Sequence, residues 1–145
     1  MNQTLITSSV EETKKLGKEL IQKLLNNQSN VIALYGDLGS GKTTFIQGLA
    51  GGLGITKRIL SPTFIIVRTY DIPKSSSIFY HIDLYRTNNT LDLKGLGLNE
   101  MFNNPNNVVA IEWAEKMGNL LPKDRIDIKF EYVEENKRKI IIENF

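Results

Sequence analysis

The chain is 145 residues long, with 41% hydrophobic and 23% charged residues, which supports one buried core but not two. It contains no cysteine and a single histidine, which excludes disulfide frameworks, thiolate metal sites and clusters of histidine ligands. The formal net charge of +2 does not indicate a nucleic-acid-binding surface. We therefore expect residues 1–145 to form a single domain.

The sequence contains no candidate membrane segment. Its longest apolar run, residues 31–35, is far shorter than the ~20 residues that a helix needs to cross a bilayer. The polar N-terminus also lacks the apolar stretch of a signal peptide. These features predict a cytoplasmic protein without a membrane partner.

The first predicted element is a helix that begins at Ser9. Ser9 and Glu12 have the spacing of a capping box, which satisfies free N–H groups in the first helical turn. Leucines then recur every fourth residue from Leu16 to Leu24 and give the helix one apolar face. We expect this helix to end near residues 26–30.

Runs of aliphatic, β-branched and aromatic residues predict the strands. Residues 31–35 and 108–111 are continuous apolar runs, typical of strands covered on both faces. The other predicted elements are an antiparallel pair over residues 63–70 and 78–84, a C-terminal hairpin over residues 125–133 and 138–145, and helices over residues 43–53 and 98–102. This pattern predicts an α/β fold of three layers with a mixed parallel and antiparallel central sheet and a C-terminal β-hairpin.

The strongest functional signal lies between the first predicted strand and the second predicted helix. The residues there match G-x-x-x-x-G-K-[ST] in full and read Gly36-Asp37-Leu38-Gly39-Ser40-Gly41-Lys42-Thr43. Its glycines allow successive backbone N–H groups to surround an anion, and the helix N-terminus adds positive potential. We expect Lys42 to reach the terminal phosphates of a nucleotide, Thr43 to ligate Mg²⁺ and Thr44 to add a phosphate contact. This predicts a P-loop NTPase fold.

Two carboxylates end predicted strands, where ligands gather in α/β sheets. Asp83 is placed to act as a metal-linked carboxylate or as a simple strand-end cap. Glu112 is placed to bind Mg²⁺, directly or through water, or to orient the attacking water. His81 shares a sheet face with Asp83 and is expected to orient a neighbour or to pack. Trp113 either covers the core or excludes water from the site.

A third segment, Ser61-Pro62-Thr63-Phe64, places a hydroxyl in a proline-stiffened loop before a strand. Thr63 is suited to sense Mg²⁺ or a terminal phosphate, as switch threonines do. A Ser-Pro turn that only begins a strand explains the same residues.

Several classes of phosphate-loop protein remain to be separated. The N-K-x-D motif that reads guanine is absent, so guanine specificity is unsupported. A small-molecule kinase would need an arginine-rich lid, and the arginines here are scattered at positions 58, 68, 86, 125 and 138. That class is not excluded by this observation.

Taken together, the motifs resemble the TsaE (YjeE) family. The resemblance is carried by LYGDLGSGKTTF at residues 34–45, SPTF at 61–64, HIDLYR at 81–86 and IEW at 111–113. Their order and spacing match the family across roughly residues 13–132. The family resemblance implies an ATPase with weak activity by itself that acts with TsaD and TsaB, which make N6-threonylcarbamoyladenosine in tRNAs that read ANN codons. In this family ATP hydrolysis resets the partner complex, and tRNA is contacted indirectly through that complex.

The resemblance also implies roles for individual residues. ATP would be bound by the loop from Gly36 to Thr44, with Thr43, Glu112 and Asp83 serving Mg²⁺. The catalytic group would comprise Lys42, Asp83, Glu112 and Thr63. Trp113 would neighbour the active site, and Glu11 at the start of the first helix would approach the adenine. The alternatives are a small-molecule P-loop kinase and a non-catalytic binding module controlled by nucleotide.

Overall fold

The computed structural model describes residues 2–27, 29–37, 39–59, 67–87 and 93–144. Across these residues the chain forms seven strands, three α-helices and a 3₁₀ segment over Ala114–Leu120. The strands are β1 (Gln3–Thr7), β2 (Val31–Tyr35), β3 (Val67–Asp71), β4 (Ile78–Asp83), β5 (Val108–Glu112), β6 (Ile126–Glu134) and β7 (Lys137–Glu143). The helices are α1 (Val10–Asn27), α2 (Lys42–Gly52) and α3 (Leu98–Asn103).

All seven strands belong to one mixed sheet with the order β1-β7-β6-β2-β5-β4-β3. Strand β2 lies at its centre, parallel to β5 on one side and to β6 on the other, and β4 is parallel to β5. The hairpin pairs β6 with β7, β1 joins β7, and β3 joins β4, all antiparallel. The predicted mixed α/β sheet is thus confirmed.

The sheet has a hydrophobic core on each face. On one face, α1 and α2 bury side chains such as Ile21, Phe45 and Leu49 against the sheet. On the other face, Met101 of α3 and Met117 of the 3₁₀ segment pack against the sheet. Strands β2 and β5 are therefore covered on both sides, which explains their continuous apolar sequences.

Helices α1 and α2 approach each other closely at glycines. A Cβ atom at Gly48 would lie 2.1 Å from the carbonyl oxygen of Lys14 in α1. A Cβ atom at Gly17 of α1 would lie 2.4 Å from the carbonyl oxygen of Phe45. Both distances are far below a van der Waals contact, so only glycine permits this helix spacing.

Most predicted elements are confirmed within one or two residues. The backbone N–H of Glu12 donates to Ser9 Oγ at 3.1 Å, as the capping box requires. The helices predicted over residues 43–53 and 98–102 and the C-terminal hairpin are present. The predicted strand over residues 63–70 is described only from Val67 onward.

Strand β1 was not predicted from the sequence. It is an edge strand whose residues are mostly exposed, and only Thr7 is fully buried. In the part of the chain that the structure describes, no helix is long and apolar enough to span a membrane.

Candidate functional site

The glycine-rich loop follows the central strand β2 and leads directly into α2. Gly36 has a φ of 144°, and a Cβ atom there would lie 2.7 Å from the carbonyl oxygen of Phe130 in β6. Gly41 has a φ of 103° and forms the N-cap of α2. These left-handed conformations explain why glycine occupies both positions. The predicted loop residue Leu38 lies outside the described residues.

Lys42 is buried at the start of α2, and its ammonium group lies inside the loop. Its Nζ donates a hydrogen bond to the carbonyl oxygen of Gly36 and lies 3.8 Å from the centroid of the Trp113 ring. Burial lowers the pKa of Lys42 below its ordinary value, and nearby carboxylates, led by Glu112, act in the opposite direction. The lysine therefore places a poorly hydrated positive charge beside the loop.

Glu112, at the end of β5, contacts one residue of α2 and one residue of β4. The Thr43 hydroxyl donates to Glu112 Oε1 at 3.1 Å, and His81 Nε2 lies 2.6 Å from Glu112 Oε2. His81 is completely buried and Glu112 is 3% exposed, so this carboxylate is fixed inside the protein. The structure thus brings together three residues that lie far apart in the sequence.

Asp83 lies beside Glu112 at the end of the adjacent strand. The two residues are paired in register between β4 and β5, and their side chains share a face. The Asp83 carboxylate also accepts a hydrogen bond from the backbone N–H of Tyr85 at 3.0 Å. Its position is compatible with both the metal-linked carboxylate and the strand-end cap considered above.

Trp113 forms an aromatic wall next to Lys42. Its backbone has a φ of 58°, an uncommon conformation for a bulky residue, and its ring lies 5.3 Å from that of Tyr85 between centroids. The ammonium of Lys116 lies 5.7 Å from the same indole ring. The indole is only partly buried, so it lies between the core and the loop.

The donor set of this site fits Mg²⁺ and a chain of phosphates. The hydroxyl of Thr43 and the carboxylate of Glu112 are hard oxygen donors of the kind that Mg²⁺ prefers. The buried Ser40 hydroxyl has no hydrogen-bond partner among the described residues, and a phosphate oxygen would satisfy it.

Among the described residues, no group of three or more His, Cys, Asp or Glu is placed to hold a metal ion.

The other predicted site residues that the structure describes lie in the loop or next to it. Thr44 is partly buried in the first turn of α2, and Asp37 is exposed at the start of the loop. Glu11 is exposed in the first turn of α1, and that turn borders the loop, since Thr13 Cγ2 would lie 3.9 Å from a Cβ atom at Gly41. Thr63 lies outside the described residues, so its predicted switch role has no structural description here.

Sequence reasoning missed Arg138, which reaches the loop from β7. Its Nη2 donates to the carbonyl oxygen of Gly39 at 3.0 Å across 99 residues of sequence. Arginine in a hairpin carries no local motif, so only the sheet order β7-β6-β2 brings it to the loop.

A second missed feature ties the end of β2 to β6. The Tyr35 hydroxyl donates to Asp127 Oδ1 at 2.8 Å, and the same carboxylate accepts from Arg125 Nε and from Asn144 Nδ2, also at 2.8 Å. Burial, followed by the hydrogen bond to Asp127, raises the pKa of Tyr35 to about 12. The network anchors the residue that directly precedes the glycine-rich loop.

The fold and site define an α/β domain in which a buried parallel strand leads through a glycine-rich loop into a helix that begins with Lys42 and Thr43. The family model described as "Threonylcarbamoyl adenosine biosynthesis protein TsaE" matches residues 7–140. The chain belongs to the TsaE family.

Individual relatives agree with this assignment. The tRNA threonylcarbamoyladenosine biosynthesis protein TsaE of Rickettsia felis is 40% identical over 135 residues, 92% of this chain and 75% of that protein. The protein with the same description from Rickettsia bellii is 36% identical, over 99% of this chain and 96% of its own length. The crystal structure of Bacillus subtilis YdiB is 32% identical with a TM-score of 0.75, covering 98% of this chain and 84% of that one.

Proposed function

We propose that this chain is a Mg²⁺-dependent ATPase subunit that acts with TsaB and TsaD to form N6-threonylcarbamoyladenosine in tRNAs that read ANN codons. Membership of the TsaE family supports the pathway. The convergence of Thr43 and His81 on the buried carboxylate of Glu112, next to Lys42 and the glycine-rich loop, supports the activity. Phosphate-loop NTPases combine the same residue types to bind a triphosphate and its metal ion.

The reaction is attack of water on the terminal phosphate of ATP, which releases ADP and inorganic phosphate. Backbone N–H groups of the loop and the Lys42 ammonium would bind the phosphate oxygens and stabilise the charge that develops on them. Thr43 and Glu112 would hold Mg²⁺, which when bound offsets negative charge on the phosphates. Asp83, beside Glu112, would orient a metal-bound or attacking water, and Thr63 would contact the terminal phosphate.

His81 has a supporting role in this proposal. Its Nε2 lies 2.6 Å from Glu112 Oε2, and the Thr43 hydroxyl lies 3.1 Å from Oε1 and 3.4 Å from Oε2. A buried carboxylate held by two side chains has little freedom to rotate. We assign His81 to orienting Glu112, because a residue that orients a metal ligand acts on metal affinity without touching the metal.

Family membership and net charge support the proposed partners. A net charge of +2 gives little overall attraction for a phosphodiester backbone, in which each phosphate contact needs a lysine or arginine. We therefore propose that tRNA is held mainly by the TsaB and TsaD complex. Hydrolysis by this chain would reset that complex between rounds of modification.

Reconstitution with TsaB and TsaD tests the proposal. Repeated rounds of threonylcarbamoyladenosine formation should require this chain, and Glu112→Ala should stop them after the first round. Glu100→Ala is the matched control, because Glu100 is an exposed carboxylate on α3, and α3 adjoins Asn30 before the start of β2, at the opposite end of that strand from the loop. Normal multiple turnover without the chain, or with Glu112→Ala, would reject the proposal.

The same assay identifies the two alternative functions. Transfer of the terminal phosphate to an acceptor, instead of release as inorganic phosphate, would indicate a small-molecule kinase. A slowly hydrolysed ATP analogue that supports every round would indicate a binding module that needs occupancy alone. The proposed ATPase should support only one round with that analogue.

A further inference from the structure

We propose that Arg138 is a positioning residue for the phosphate-binding loop, fixing the peptide between Gly39 and Ser40 before any nucleotide binds. This inference rests on the proposed function of the loop. It assigns a task to the C-terminal hairpin, whose sequence carries no recognisable motif. The contact that carries it is the hydrogen bond from Arg138 Nη2 to the Gly39 carbonyl oxygen at 3.0 Å.

The hairpin holds the Arg138 guanidinium in place independently of the loop. Nη1 donates to the carbonyl oxygens of Glu134 at 3.1 Å and Lys137 at 3.0 Å. The guanidinium carbon lies 4.8 Å from the centroid of the Tyr132 ring, within cation–π distance. Arg138 pairs with Tyr132 next to an irregularity in the β6–β7 ladder, so the guanidinium reaches the loop from the turn end of the hairpin.

The loop peptide is held from both of its sides. The carbonyl of Gly39 and the N–H of Ser40 belong to one planar trans peptide and point in opposite directions. While the carbonyl accepts from Arg138, the N–H donates to the carbonyl oxygen of Asp37 at 3.2 Å. The N–H therefore points at the carbonyl oxygen of Asp37, within the loop.

This arrangement matters because glycine loops are conformationally permissive. Gly39 has a φ of 74°, and among the described residues no atom outside its chain neighbours would lie within 4 Å of a Cβ atom there. Arginine suits the task because its planar group donates to the hairpin and the loop at once, which a lysine ammonium cannot match. Arg138 thus links strand β7 to the orientation of a loop N–H group.

Amide hydrogen exchange of Ser40, measured by NMR without nucleotide, tests the proposal directly. Ser40 is 2% exposed and its N–H is bonded, so its exchange should be slow in the wild-type chain. Arg138→Ala should speed it by about tenfold, the order expected for losing a hydrogen bond from a charged donor. Arg138→Lys should give a smaller increase, and Lys139→Ala on the opposite face of β7 should give none.

A second readout separates loop positioning from loss of the hairpin. The amides of β6 and β7 should exchange as slowly in Arg138→Ala as in the wild-type chain. If the hairpin amides of Arg138→Ala exchange faster, the Ser40 exchange rate of Arg138→Lys is compared with that of the wild-type chain instead. AMP-PNP affinity, measured by calorimetry with Mg²⁺, should fall about tenfold in Arg138→Ala and remain unchanged in Lys139→Ala.

Two results would overturn the proposal. One is a Ser40 amide that exchanges equally fast with and without the Arg138 side chain, whether or not nucleotide affinity falls, since a fall alone would indicate direct contact with the nucleotide. The other is a Ser40 amide that is already unprotected in the wild-type chain. Failure of the wild-type chain to bind nucleotide would instead reject the proposed function and leave the exchange result standing.

Discussion

The contact between His81 and Glu112 leads to a testable prediction, which is that His81 orients the Glu112 carboxylate. A glutamine at position 81 can place its amide nitrogen near the position of His81 Nε2 and donate to Glu112, whereas the shorter asparagine cannot reach it. We therefore expect His81→Asn to raise the Mg²⁺ concentration required for half-maximal AMP-PNP binding by about tenfold or more, and His81→Gln to raise it much less. Calorimetric titrations at several Mg²⁺ concentrations measure this difference.

Thermal unfolding provides the control for this pair. Both variants replace a completely buried side chain, so both should unfold at a lower temperature than the wild-type chain. Equal Mg²⁺ dependence in both variants would mean that His81 only fills space in the core.

The candidate site could be predicted from the sequence where residue spacing carries the chemistry. The run from Gly36 to Thr43 is contiguous, and Glu112 ends a buried apolar strand, so both were recognisable. Arg138 was not, because its partner Gly39 lies 99 residues away and β6 separates β7 from β2 in the sheet. The contact between His81 and Glu112 likewise depends on the pairing of β4 with β5.

The packing of α1 against α2 predicts opposite effects for two glycines of α2. Gly48→Ala would place a Cβ atom 2.1 Å from the Lys14 carbonyl oxygen, and backbone cannot move aside cheaply. We expect it to lower the free energy of unfolding by about 3 kcal/mol or more. Gly51→Ala meets nothing within 4 Å and should raise the free energy of unfolding by up to about 1 kcal/mol.

Urea unfolding of the two variants measures both effects. Because the substitutions are identical and lie in the same helix, helix propensity contributes similarly to both. A Gly48→Ala chain as stable as Gly51→Ala would show that α1 and α2 are not packed as described.

The link between β2 and β6 predicts a pH dependence. Tyr35 has a pKa of about 12 in the folded chain against an ordinary value of 10.0, so the folded state retains the proton more strongly. The folded chain therefore loses stability relative to the unfolded chain as the pH rises from 10 toward 12, and no such loss occurs below pH 10. The stability of Tyr35→Phe should therefore decline less than that of the wild-type chain over this interval.

Spectrophotometric titration of the tyrosines provides a direct check. The wild-type chain should contain a phenol that ionises near pH 12, and Tyr35→Phe should lack it. If the high-pH phenol persists in the variant, the bond between Tyr35 and Asp127 does not protect the proton.

The elements that could be predicted are those with a strong apolar pattern. Strands β2 and β5 and helix α1 bury enough side chains to produce clear signals. Strand β1 contributes a single fully buried residue, Thr7, and is held mainly by backbone pairing with β7. An edge strand of this kind has no clear apolar pattern in its sequence, so it could not be predicted from the sequence.

The topology of the whole sheet explains why the site residues lie together at the carboxyl ends of the parallel strands. Strands β2, β4 and β5 are parallel neighbours, so the residues at their carboxyl ends lie side by side. These ends supply the glycine-rich loop, Asp83 and Glu112. The antiparallel hairpin extends the same sheet beyond β2 and brings Arg138 to the other side of the loop.

The central claim is that this loop binds a nucleoside triphosphate with Mg²⁺. Calorimetric titration of the folded chain with AMP-PNP and Mg²⁺ tests it most directly, using Lys42→Ala as the comparison. The account predicts saturable binding by the wild-type chain and at least about a hundredfold weaker binding by Lys42→Ala, without loss of fold. No detectable binding to the folded wild-type chain, or equal affinity in Lys42→Ala, would contradict it.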